Sequence, residues 1–209
     1  MIKVLIADDH SIVRRGVRDI LSELPVPVTI TEASSAAGAI KEISNHPYDI
    51  MILDISFPDG NGLDIMNQVK IIQPRLKVLF LSMYPEEQYA RRAIKNGAFG
   101  YLTKDSAPTE LTAAMTSIIS GTKYVTSTLA QILVDELVSP TRTEPHEKLS
   151  DREFQVLLET AKGMKTSDIA AKLMVSPKTV STYRARIFEK LHLTTTAELV
   201  RYVMDRGLL

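Results

Sequence analysis

The sequence predicts two folded units of different class: an α/β doubly wound five-stranded parallel sheet, strand order 2-1-3-4-5, and then a small all-α four-helix domain. Three observations carry this. Over residues 1–122, short apolar runs alternate with segments of helical period, the βαβ pattern of a parallel sheet with right-handed crossovers. From residue 149 onward the period is helical, with no strand signal. Between them, Pro140 and Pro145 stand among polar residues and mark a linker of limited stiffness. The expected boundaries are 1–122, a linker over 123–148 that carries one amphipathic helix, and 149–209.

In chain order, residues 2–7 form a buried strand that ends at Asp8 and Asp9. A helix follows from Ser11, with Val13, Val17, Ile20, Leu21 and Leu24 at helical spacing. Residues 28–31 are a short β-branched strand, and 36–45 a helix with Ile40 and Ile43 inward. The run 50–53 is apolar without interruption, the mark of a strand buried on both faces, and it leads into Asp54 and a Pro58–Gly62 turn. A helix over 63–72 ends before Pro74; a fourth strand, 77–81, closes at Ser82. A polar helix over 86–95 stops at Gly97, a fifth strand over 99–102 leads to Lys104, and a helix runs from Pro108 to Gly121. The linker helix places Leu129, Ile132, Leu133 and Leu137 on one face. Four helices are expected at 150–161, 166–173, 177–191 and 195–206.

Composition limits what the chain does. Zero cysteines exclude disulfides and thiolate metal sites, and no stretch approaches the ~20 apolar residues of a membrane helix. The first residues enter a strand at once without the layout of a cleavable signal, so a cytoplasmic protein with no membrane partner is expected. The overall charge of zero hides an asymmetry: 12 Lys/Arg against 14 Asp/Glu over 1–122, but 10 against 7 over 149–209. An acidic first unit and a basic last one suggest different partners.

In the expected strand order the first and third strands are neighbours at the switch point, so Asp8, Asp9 and Asp54 should converge. Crowded carboxylates repel unless a cation or protons neutralise them. With no cysteine and no histidine counted beside them, the ligand set is all oxygen, which suits Mg²⁺ rather than zinc. Lys104 adds a point charge and Ser82 a hydroxyl, each at a neighbouring strand end. Together these groups make a site for a phosphoryl group on an aspartate.

These residues, with Pro58, Gly62 and Asp105, resemble the receiver domain of two-component response regulators, whose fold is flavodoxin-like (CheY-like). The resemblance implies that Asp54 accepts a phosphoryl group from a histidine kinase. It implies that Asp9 and Asp54 bind Mg²⁺ with the Ser56 backbone carbonyl, and that Asp8 acts through a metal-bound water. Ser82 and Lys104 would contact the phosphoryl oxygens. Tyr101 matches the family's aromatic switch position, and is otherwise a half-buried strand aromatic.

In the second unit, Ser176 suits a helix N-cap and Pro177 a first helical residue, behind a break at Met174–Ser176. Ile169, Ala170 and Leu173 on one helix, and Val180, Ile187 and Leu191 on the next, face inward. Short polar residues edged by basic ones on the outer face suit the DNA major groove. Leu149, Glu153, Val156, Leu157, Gly163, Asp168, Lys178, Val180, Phe188 and Leu191 carry a resemblance to the LuxR-type helix-turn-helix domain. The whole chain thus resembles a response regulator of the NarL/FixJ class. It departs at Thr166, where Asn is frequent, and at Tyr183, where His is common. By the resemblance, Lys178, Thr179, Tyr183, Arg184, Arg186 and Lys190 touch DNA phosphates while Ser181, Thr182 and Ala185 face base edges. The last helix (Leu199, Val203, Met204) is either a dimer surface or partly core.

The expected function is therefore a transcription regulator, not an enzyme, whose phosphorylation promotes homodimerisation and binding to double-stranded DNA. Two alternatives stand beside it: a receiver-like DNA-binding regulator that never uses phosphorylation, and an Asp-nucleophile phosphatase. A phosphatase of that kind usually carries its nucleophile after the first strand and has a substrate cap, and no cap insertion is present in this sequence.

Overall fold

A computed structural model describes residues 1–138 and 144–209; the proline-containing stretch expected as linker falls partly outside these. Two compact units divide the chain, Met1–Asp135 and Glu136–Leu209. The first runs β1 (Ile2–Ala7), α1 (Ser11–Ser22), β2 (Val28–Ala33), α2 (Ala36–Asn45), β3 (Ile50–Leu53), β4 (Ser56–Phe57) and β5 (Gly60–Asn61). It continues with α3 (Gly62–Ile72), β6 (Lys77–Ser82), α4 (Glu86–Lys95), β7 (Gly100–Thr103), α5 (Ala107–Ile119) and the start of α6 (Ser127–Val138).

The five-stranded sheet has the order β2-β1-β3-β6-β7, all neighbours parallel, as the sequence predicts. Its central strands are buried on both faces, which is why Ile50–Leu53 shows no polar alternation. Register then decides where the charges go. Ala7 pairs with Leu53, so Asp8 and Asp54 leave adjacent strands at the same level, and the Asp54 N–H donates to the Ala7 carbonyl at 2.9 Å. Ser82 pairs with Thr103, and the next N–H, that of Lys104, donates to the Ser82 carbonyl at 2.8 Å.

The turn after Asp54 is more ordered than expected. Ser56–Phe57 and Gly60–Asn61 pair as a two-residue antiparallel ribbon. Asp59 at its tip accepts the Ala36 and Ala37 N–H groups at 2.8 and 2.9 Å, tying the turn to the start of α2. Asn61 accepts the Leu63 N–H and begins α3. Gly62 is required here because a Cβ would sit 2.0 Å from the Asp54 carbonyl oxygen.

The open edge of β7 is covered. The Tyr124 N–H donates to the Phe99 carbonyl at 2.7 Å, and its hydroxyl to Glu110 on α5 at 3.0 Å. Gly100 permits this approach, since a Cβ there would meet the Tyr124 carbonyl at 3.2 Å. Of the expected apolar face of α6, Leu129 is buried and Leu133 half-buried; Ile132 and Leu137 side chains lie outside the described ones.

The second unit holds a 3-10 turn (Pro145–Lys148), α7 (Asp151–Ala161), α8 (Thr166–Lys172), α9 (Pro177–Leu191) and α10 (Thr196–Asp205). Ser150 and Glu153 form a reciprocal capping box that starts α7. Residues 145–148, expected as the linker's end, pack within this unit: the buried His146 stacks on Phe154, and Tyr202 Oη lies 3.0 Å from its Nδ1. Ser176 accepts the Thr179 N–H and starts α9, after a turn in which Met174 takes a left-handed φ of 52°. On the last helix the core reading holds for two of the three residues: Leu199 and Val203 are fully buried where α10 packs on α7, and Met204 is exposed.

Candidate functional site

The carboxyl ends of β1, β3, β6 and β7 deliver Asp8, Asp9, Asp54, Ser82 and Lys104 to one end of the sheet. Asp8 and Asp54 are 2% exposed, and Lys104 Nζ bridges them at 2.7 Å from Asp8 Oδ2 and 2.7 Å from Asp54 Oδ2. Asp54 Oδ1 accepts the Ile55 N–H at 2.6 Å. Burial, and then the neighbouring Asp8 charge, push the Asp54 pKa up to about 6 despite the opposing Lys104. Burial works against the Lys104 ammonium, but Asp54 and Asp8 outweigh it and hold its pKa above the ordinary value.

The site also contains His10, which corrects the expectation of a histidine-free cluster. Its Nδ1 lies 2.8 Å from Asp9 Oδ1, 3.1 Å from Asp8 Oδ1 and 3.4 Å from Lys104 Nζ. Asp8, Asp9, His10 and Asp54 each offer a ligand atom, all within 4.8 Å of one another. The signal was in the sequence: His10 directly follows the acidic pair, and a strand end that delivers two side chains delivers the third. Arg14 is a second residue the sequence reading passed over. It donates to the Asp8 carbonyl at 2.9 Å and to Glu32 at 2.9 Å, fixing the main chain that carries the acidic pair.

The donor set suits a hard divalent cation. Three carboxylates converge, and although Lys104 pairs with Asp8 and His10 with Asp9 by distance, no aligned hydrogen bond reaches Asp8 Oδ2 or Asp9 Oδ1 among the described residues. Such buried oxygens gain from a cation that replaces their lost water.

Ser82 is fully buried, and its Oγ accepts the Tyr84 N–H at 3.2 Å. Tyr101, expected as a half-buried strand aromatic if not a switch, is fully buried, and its hydroxyl donates to the Tyr84 carbonyl at 2.8 Å. Burial raises its pKa well above the ordinary tyrosine value. Tyr84 Oη lies 3.4 Å from Ser56 Oγ, so the segment after Ser82 touches both β4 and β7.

On α9 the named residues separate by exposure. Lys178, Ser181, Thr182, Ala185, Arg186 and Lys190 are exposed; Thr179, Tyr183 and Arg184 are half-buried. Arg184 donates to Thr166 at 3.2 Å and to Thr196 at 3.1 Å, linking α8, α9 and α10. Lys190 lies 2.6 Å from Glu153, which is 1% exposed. Lys178 and Arg186 project on the same helix as the short residues Ser181, Thr182 and Ala185; the Ser181 and Thr182 hydroxyls donate back to carbonyls four residues earlier.

The comparisons agree with both units. Residues 4–116 match the response regulator receiver domain, and 147–203 match the luxR family of bacterial regulatory proteins. The response regulator UvrY of Escherichia coli K12 is 35% identical over 209 residues, covering 100% of this chain and 96% of its own. The oxygen regulatory protein NreC of Staphylococcus epidermidis is 36% identical over 215 residues, covering 99% of each. Among solved structures, the response regulator RcsB of Salmonella typhimurium is 26% identical, with a TM-score of 0.64, over 98% of this chain and 100% of that one. An RcsB–DNA complex matches at 27% identity and a TM-score of 0.59. With its carboxylate-rich sheet end and its helix-turn-helix, the chain belongs to the NarL/FixJ class of response regulators, a receiver domain joined to a LuxR-type DNA-binding domain.

Proposed function

We propose that Asp54 is the phosphoacceptor of a Mg²⁺-dependent switch, and that its phosphorylation promotes dimerisation and sequence-specific DNA binding. The observation that carries this is the buried Asp54 carboxylate held 2.7 Å from Lys104, beside Asp8 and Asp9, at the end of β3. A carboxylate oxygen of Asp54 forms a P–O bond as the P–N bond of a kinase phosphohistidine breaks; the departing imidazole keeps the electron pair and takes a proton. Asp9, Asp54 and the Ser56 carbonyl would hold Mg²⁺ directly, and Asp8 through a water. When bound, Mg²⁺ supplies positive charge against the phosphoryl oxygens and the crowded carboxylates.

Lys104 shifts its pairing from Asp54 toward the new phosphoryl oxygens, and the Ser82 hydroxyl turns to donate to one of them. Because Ser82 Oγ already holds the Tyr84 N–H, that turn bears on the Tyr84 loop and on Tyr101 beneath it. The expected division of the chain, 1–122, 123–148 and 149–209, then separates an input unit, a connection and an output unit. In the output unit, Lys178, Arg186, Thr179 and Tyr183 face backbone phosphates while Ser181, Thr182 and Ala185 meet base edges. Arg184 and Lys190 keep their phosphate roles only by sharing donors already bound within the domain. Short side chains discriminate weakly between bases, so a dimer on a two-fold repeated site strengthens recognition. The complex of RcsB with DNA supports a DNA-bound reading.

The test is acetyl-phosphate labelling with Mg²⁺ present. The full chain takes one phosphoryl group and Asp54→Asn takes none; a variant still labelled at another residue removes Asp54 from this role.

A further inference from the structure

The chain between β6 and α4 is short, and both its ends are held. At one end Ser82 and Tyr84 lie against the Asp54 site: the Tyr84 N–H donates to Ser82 Oγ, its hydroxyl lies 3.4 Å from Ser56, and its carbonyl accepts from Tyr101. At the other end stands Glu86, the first residue of α4, whose Oε1 accepts a hydrogen bond from the Thr126 hydroxyl. Thr126 lies just before α6. The same hydroxyl oxygen accepts the Leu129 N–H at 3.1 Å, and the Thr126 carbonyl accepts the Ala130 N–H at 2.9 Å. One hydroxyl thus faces the first turn of α4 with its proton and the first turn of α6 with its lone pair.

We propose that the Glu86–Thr126 contact is the joint through which the state of the Asp54 site reaches α6, and so the residues leading to the DNA-binding domain. This rests on the reading of Asp54 as the phosphoacceptor and names how that site is coupled to the output. A movement of Ser82 toward a phosphoryl group pulls on Tyr84, and only three residues separate Ser82 from Glu86. Glu86 cannot follow without losing the Thr126 proton or turning the start of α6 with it. The neighbouring contacts of the covering segment, Tyr124 to Phe99 and to Glu110, attach to β7's approach and to α5 rather than to residues 82–86. They hold the segment down while the joint moves. The Glu86 carboxylate depends on its partner: burial raises its pKa, with Glu110 and Glu87 adding to this and Thr126 opposing it. Losing the Thr126 donor therefore leaves a half-buried carboxylate near two others, which sets two alternatives rather than a graded slide. By linkage, a joint of this kind works in both directions.

The test uses the full chain, with DNA affinity measured before and after acetyl-phosphate labelling. Thr126→Val removes the hydroxyl and should take label at Asp54 at the wild-type rate. Its ratio of unphosphorylated to phosphorylated dissociation constants should fall about fivefold or more toward one. Thr126→Ser, which restores the hydroxyl, should regain the wild-type ratio, and Tyr124→Phe should keep it within about twofold. Glu86→Ala should reproduce the Thr126→Val loss, so the result does not hang on one variant's folding. Normal labelling with an unchanged ratio in both Thr126→Val and Glu86→Ala overturns the joint and leaves Asp54 as phosphoacceptor. A wild type that takes no label at Asp54 overturns both.

Discussion

The two units use charge in opposite ways. At the sheet end, the buried Asp8 and Asp54 and the partly buried Lys104 are mutually paired and fixed by strand register, so each one's chemistry depends on the others. On α9, Lys178 and Arg186 are exposed, and in the proposed phosphate-facing role their effects should add. A buried charge cluster suits the proposed switch because changing one member re-pairs the rest. An exposed basic helix suits the proposed reader because its charges change affinity without changing the fold.

The contrast breaks most sharply at Gly62. Gly62→Ala places a methyl group 2.0 Å from the Asp54 carbonyl and should cost about 3 kcal/mol, read as a lowered urea midpoint. Retained stability would mean the β3 end is softer than its packing implies. Next, Lys190→Ala leaves Glu153 buried without its cation, and should destabilise the chain by about 1–2 kcal/mol after discounting the exposure of Lys190. Arg186→Ala should instead leave stability within about 0.5 kcal/mol and lower affinity for all DNA sequences, with the salt slope reduced by about 0.9. If the two substitutions behave alike, exposure does not separate reader from scaffold on α9.

The Asp54 titration sharpens the same comparison. With a folded pKa of about 6 against 3.8 unfolded, Asp54 contributes stability that is present below pH 4 and lost as pH rises through 6. Mg²⁺ held as proposed by Asp54 would have to displace that proton at low pH. Its affinity should therefore fall toward tenfold per unit below pH 6 in titration calorimetry, and vary little between pH 7 and 8. The smallest effect belongs to Thr182→Ala, which should change sequence preference by about 1 kcal/mol at one base step while total affinity hardly moves.

Much of this was legible in the sequence because period and composition report burial. The uninterrupted apolar run of β3 and the Asp residues after β1 and β3 were sufficient to place Asp8, Asp9 and Asp54 together, since parallel strands in this order have little freedom of register. What escaped were features decided by tertiary packing. His10 joins the cluster because the chain turns from β1 into α1 beside Lys104. The ribbon of β4 and β5 is too short for alternation to show, and depends on Asp59 reaching α2. Leu199 and Val203 read equally well as interface or core, and only the packing of α10 on α7 decides between them. Arg184 and Lys190 read as phosphate-facing cations, and their intramolecular partners Thr166, Thr196 and Glu153 show only once the tertiary packing is in place.

Phosphorylation of Asp54 is proposed to control DNA binding. The most direct test is the DNA dissociation constant of one preparation, with and without acetyl phosphate and Mg²⁺, beside Asp54→Asn treated identically. Labelling should tighten binding of the wild-type chain by about tenfold or more, a difference of about 1.4 kcal/mol, and leave Asp54→Asn unchanged. Equal affinity in all four samples, with Asp54 shown to be labelled, would contradict it.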